Sequence, residues 1–134
     1  MTKTVAVDTN VLLDYLFKRD PGFSRAFQLV EKCLADKVQI FIPNIVFPEL
    51  EWVLRSFYKQ PRAFIVEFLE GLLVMDGVLT EDKISIQQAL NLYRQSNIKF
   101  ADSIILIQIQ NFNPDEFLTF DKDLKKLYQK SFKN

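Results

Sequence analysis

Short apolar runs alternate with stretches of helical periodicity along the whole of this 134-residue chain. TVAVD at residues 4–8 is rich in β-branched side chains and reads as a buried strand. VQIFIP at 38–43, closed by Pro43, and EFLTF at 116–120 read the same way. Parallel strands cannot be joined by tight hairpins. They need long crossovers, usually helical. The alternation therefore predicts an α/β domain in three layers, α/β/α, with a short parallel sheet and crossover helices on both faces.

The intervening helices are predicted at 10–17, 23–35, 44–58, 62–73, 80–95, 100–111 and 121–130. In the second, Phe23, Phe27, Val30 and Leu34 fall on one face. Pro48 is tolerable in the third because the first turn has backbone donors without intrahelical partners. Asp20-Pro21-Gly22 and Gln60-Pro61 mark breaks, Thr80 is placed to cap the fifth helix, and LLVMDGV at 72–78 holds a short strand. With 49% hydrophobic residues, 3 Gly and 5 Pro, there is little room for linkers, and residues 1–134 are expected to form a single domain with one core. MTKTVAVD is expected to enter the first strand directly, without signal-peptide architecture, and no apolar run approaches the roughly 18 residues a membrane span requires. The single cysteine, Cys33, excludes an intramolecular disulfide and fits a cytoplasmic protein.

The chain has no histidine. That removes imidazole acid–base catalysis, Ser-His-Asp and Cys-His nucleophile systems, and the usual zinc sites. Chemistry here must rest on carboxylates, hydroxyls, lysine, arginine or a bound ion. Basic and acidic residues balance at 17 each, so attraction to nucleic acid would have to be local.

Four acids stand at helix openings: Asp8 after the first strand, Glu49, Asp102, and Asp121 after EFLTF. In open parallel sheets, ligands bind beyond the carboxyl ends of the strands, so these four can meet at one edge. Helix N-termini favour negative charge nearby, which keeps carboxylates ionised for a hard cation. Each Asp also has a plainer role as an N-cap. Asp102 heads a stripe with Ile105, Leu106 and Ile109, where a charge needs either a cap or a cation. Glutamate is not a preferred cap, which makes Glu49 informative. Yet Glu49 and Glu51 flank the stripe of Val46, Leu50, Val53, Leu54 and Phe57 almost symmetrically, and periodicity does not choose between them. Asp14, Asp76 and Asp123 are equally open.

VDTNVLLD, VFPELEWVL, FADSIIL and LTFDKDL, taken together and in this order, resemble the PIN domain and, within it, the VapC-type ribonuclease toxins of prokaryotic toxin–antitoxin pairs. The resemblance covers essentially the whole chain. It selects Glu49 over Glu51 and implies a catalytic quartet of Asp8, Glu49, Asp102 and Asp121. Thr9 and Thr119 match small hydroxyl positions beside the family's site, Asn10 matches the polar residue after its first Asp, and Asp123 matches a further acidic position.

An all-carboxylate set suits magnesium or manganese, which prefer oxygen ligands. The expected activity is hydrolysis of RNA phosphodiester bonds, with metal held mainly by Asp8 and Asp102. The resemblance implies products ending in 5′-phosphate and 3′-hydroxyl. It also implies a cognate antitoxin and a homodimer, for which Phe47, Trp52 and Phe57 are candidate surface residues. Lys122, Lys125 and Lys126, with Lys130 and Lys133, line the last helix and are candidate RNA contacts, Lys122 foremost; Arg55, Lys59 and Arg62 form a second basic group. The rival reading is a non-catalytic scaffold or interaction module of the same fold. A phosphotransfer domain is disfavoured, since DxDxT and GxxxxGK motifs are both missing.

Overall fold

A computed structural model describes residues 3–131. The elements run β1 (Lys3–Ala6), α1 (Thr9–Phe17), α2 (Phe23–Leu34), β2 (Val38–Phe41), α3 (Val46–Ser56), α4 (Arg62–Val74), β3 (Val78–Leu79), α5 (Lys83–Arg94), α6 (Phe100–Phe112) and α7 (Lys122–Ser131). The sheet is parallel, as expected, with strand order β1-β2-β3. Val5 pairs with Ile40 and Ile40 with Val78. Each connection within the sheet is a pair of helices. The chain divides into two compact units, Met1–Lys83 and Ile84–Asn134.

The first unit holds the sheet. Ile40, Ile42, Phe47, Leu50, Leu54, Ile65 and Leu69 are buried in it. The predicted face of α2 is corrected. Its buried residues are Ala26, Val30 and Cys33, whereas Phe27 and Leu34 are 44% and 58% exposed. Small side chains let this helix approach β2 and the turn before β3, where large rings would hold it off. At that turn Gly77 has a φ of +90°, and a Cβ there would lie 3.0 Å from the Cys33 sulfur. A left-handed residue without a side chain is what this approach requires.

In α3 the buried side is Val46, Phe47, Leu50, Glu51 and Leu54, rotated from the predicted stripe. Phe47 is core, while Trp52 and Phe57 are exposed. The short strand expected within 72–78 lies at its far end and beyond, because α4 continues through Val74. The predicted helix at 80–95 begins three residues late, at Lys83. Thr80 does not cap it; its hydroxyl donates instead to Asn44 Oδ1 at 2.6 Å.

The second unit is helical, with Ile98, Leu106 and Leu124 at its core and Leu92, Phe117, Leu127 and Tyr128 packed around them. EFLTF is not a strand. Phe117 packs edge-on against Tyr128 with ring centroids 5.2 Å apart, and Leu118 and Phe120 are 74% and 92% exposed. Alternation alone does not make a strand; a neighbouring strand must supply the ladder, and none pairs with this segment among the described residues. Among those residues, no helix is long and apolar enough to cross a membrane.

Candidate functional site

Asp8 leaves β1 in extended conformation and caps α1, its Oδ1 accepting from Val11 N at 3.2 Å. The cap reading of this residue is therefore met, and the carboxylate is exposed. Thr9 is buried, and its Oγ1 has no hydrogen-bond partner among the described residues. Asn10 is exposed on the first turn of α1, with Oδ1 accepting from Arg19 Nη2 at 3.3 Å. Asp14, open from sequence, forms an ion pair with Arg19 at 2.7 Å. Hydrogen bonds to Asp14 and then to Tyr58 raise the Arg19 pKa above its ordinary value.

The two glutamates of α3 are now distinct. Glu49 is exposed in the first turn. Glu51 is buried and accepts from Arg55 Nε at 2.6 Å, one helical turn on. The geometry makes Glu51 and Arg55 a structural pair and takes Arg55 out of the second basic group. The approach to α3 is fastened by Asn44. Its side-chain oxygen accepts from the Thr80 hydroxyl and from Asp82 N, while its own N–H donates to Glu81 Oε1 at 2.7 Å. Because β1, β2 and β3 are parallel, Asp8, Asn44 and Thr80 all follow carboxyl ends of strands. Asp76 is exposed, and its carbonyl accepts from the Cys33 thiol. Burial pushes the Cys33 pKa up.

In the second unit, Asp102 lies half-buried in the first turn of α6. It is not the cap, since Lys99 holds that position. Of its predicted stripe, Leu106 is buried and Ile105 is 40% exposed. Asp121 repeats the arrangement of Asp8: its Oδ1 accepts from Leu124 N at 3.0 Å. Its own N–H donates to the Thr119 hydroxyl at 3.1 Å, so Thr119 shapes the entry to α7. Asp123 is exposed in the first turn of α7, and Lys122, Lys125, Lys126 and Lys130 are exposed along it. Lys133 lies outside the described residues. Among those residues, no three carboxylates or thiols are gathered as they would be around one ion.

Sequence reasoning missed Arg19, Tyr58, Asn44 and Thr80 in these networks. Asn44, a capping-type residue two positions before α3, carried a signal; Arg19, beyond the end of α1, carried none.

Residues 5–130 match the family model of the PIN domain, and the chain belongs to that family. It is 29% identical over 121 residues, 90% of this chain and 90% of the relative, to the VapC ribonuclease of Aquifex aeolicus (strain VF5). No solved structure matches the chain significantly. The α/β class and parallel sheet are those of the three-layer α/β/α fold expected for the family.

Proposed function

We propose that this PIN-domain protein is a magnesium- or manganese-dependent endoribonuclease and the toxin of a prokaryotic toxin–antitoxin pair. One observation carries the reading: similarity to a VapC ribonuclease extends over 90% of both chains. Residues 1–134 act as one cytoplasmic domain, and Asp8, Glu49, Asp102 and Asp121 form the catalytic set.

The residues fit a hard cation. Asp8 and Asp121 each use one carboxylate oxygen for a helix cap, leaving the other clear of it. The buried Thr9 hydroxyl beside Asp8 has no partner among the described residues. Every donor is oxygen, the preference of magnesium and manganese. When bound, the ion supplies an activated water and screens the phosphate under attack.

Asp8 and Asp102 would hold the cation, and Glu49, Asp121 and Asp123 would set the charge around it. The Val11 N–H fixes the orientation of the Asp8 carboxylate at the N-terminus of α1. Thr119 fixes the turn that presents Asp121. Lys122, Lys125 and Lys126 attract the RNA backbone, a salt-dependent contribution. A cognate antitoxin is the natural inhibitor, and exposed Trp52 and Phe57 offer apolar surface for a homodimer.

The test is cleavage of total RNA with and without manganese, with Asp102→Ala as control. Metal-dependent cleavage abolished in Asp102→Ala supports the reading; equal cleavage by the variant rejects it. The second reading, an interaction module without catalysis, is favoured by the satisfied caps at Asp8 and Asp121. Asp8→Asn separates the two, because Asn caps about as well as Asp but removes the charge.

A further inference from the structure

Arg19 stands two residues beyond α1 and lays its guanidinium back along that helix. Nε donates to Asp14 Oδ1 at 2.7 Å, Nη1 to the Tyr58 hydroxyl at 2.9 Å, and Nη2 to Asn10 Oδ1 at 3.3 Å. Asn10 and Asp14 are four residues apart and so share a face of α1. The guanidinium is held from several sides. The Tyr58 ring stacks on Phe17 with centroids 4.0 Å apart and planes 16° from parallel. Gly22 packs so tightly on the Asp14 carboxylate that a Cβ there would clash. All these residues belong to the first unit.

A side-chain amide has one acceptor oxygen and two N–H donors. With Oδ1 accepting from the guanidinium, both Nδ2 protons remain to be donated, and no hydrogen bond engages them among the described residues. A charged donor on the oxygen also polarises the amide and strengthens its N–H groups as donors. Asp8, the first acid of the proposed site, is two residues away. Arg19 itself is committed to Asp14 and Tyr58.

We propose that Arg19 is a positioning residue for RNA cleavage: it fixes the Asn10 amide so that Nδ2 donates to a phosphate oxygen of RNA bound beside Asp8. The proposal rests on the ribonuclease reading above. Asn10 makes the substrate contact, and Arg19 acts through it.

The experiment is a cycle on the full-length protein: wild type, Asn10→Ala, Arg19→Gln and the double variant, with kcat and KM measured on one defined RNA in manganese. A charge-assisted hydrogen bond of ordinary strength predicts about a tenfold loss of kcat/KM for each single variant. The double variant should be no worse than Asn10→Ala alone, because the effect of Arg19 passes through that amide. The Asn10 side-chain NH2 resonances, read by NMR without RNA, should move in Arg19→Gln. Should that variant not fold, Arg19→Lys keeps the charge, loses the fork, and is read in its place. Losses that multiply in the double variant, or amide resonances that stay put, overturn the positioning role. A wild type that cleaves no RNA in manganese overturns the ribonuclease reading and this proposal with it. An active wild type with independent single losses overturns this proposal only.

Discussion

In the N-terminal unit Asp8 leaves a parallel strand and caps α1 through the N–H of Val11; in the C-terminal unit Asp121 leaves a segment with no strand and caps α7 through the N–H of Leu124. Each unit adds a second acid in the first turn of a helix, Glu49 in α3 and Asp102 in α6. The capping device is the same and the support differs. Asp8 is held by the β1–β2 ladder, continued by Val7 N donating to Phe41 O at 3.0 Å. Asp121 is held by the Thr119 hydroxyl and by the packing of α7 through Leu124 on Ile98 and Leu106. A short polar side chain is thus aimed by the same local cap in both units, with a sheet ladder behind it in one and helix packing behind it in the other.

The largest expected effect separates charge from capping in both units. Asp8→Asn and Asp121→Asn should each keep their helices, with stability changed by a few tenths of a kcal/mol at most. RNA cleavage should nonetheless fall on the order of 10²–10³-fold, as when a group stabilising developing charge is removed. Loss at Asp8 without loss at Asp121 would assign catalysis to the sheet-bearing unit alone. Thermal melts and cleavage rates on the same samples decide it.

A smaller effect concerns how far the two supports are independent. Leu50 and Leu106 are fully buried, one in each unit. Truncation of either to Ala should cost about 3 kcal/mol. Amide exchange should then loosen the sheet first in Leu50→Ala, and α6 with α7 first in Leu106→Ala. Uniform loosening in both variants would show one cooperative unit.

The smallest effect is local. Gly77→Ala should destabilise the first unit by about 1–2 kcal/mol, from the left-handed backbone and the crowding of Cys33. Unchanged denaturant midpoints in that variant would mean that the turn before β3 relaxes freely.

Much of this was legible in the chain. The strand–helix alternation yields the parallel sheet, Gln60-Pro61 the break before α4, and the short polar residues at 8 and 121 the two caps. What pattern could not supply was which of two near-symmetric faces packs. On α2 and α3 several stripes satisfy helical spacing; close approach selected small Ala26 and Cys33 over Phe27 on α2, and on α3 Phe47 is buried while Phe57 is exposed. EFLTF shows the complementary failure, since a strand is a property of two segments and periodicity reports on one. Glu51 illustrates both: a buried acid is unreadable until its Arg55 partner is seen.

The Asn44 clasp makes the seating of α3 a long-range affair. The helix that carries Glu49 is riveted to the tripeptide at 80–82, with Thr80 and Asn44 lying 36 residues apart in the chain. A splice or insertion there would unseat a helix far upstream while leaving its own sequence untouched. Residues 80–82 therefore belong with α3 in any graft or chimera, and the shortest transplantable piece bearing Glu49 is the whole span from β2 to the end of that tripeptide.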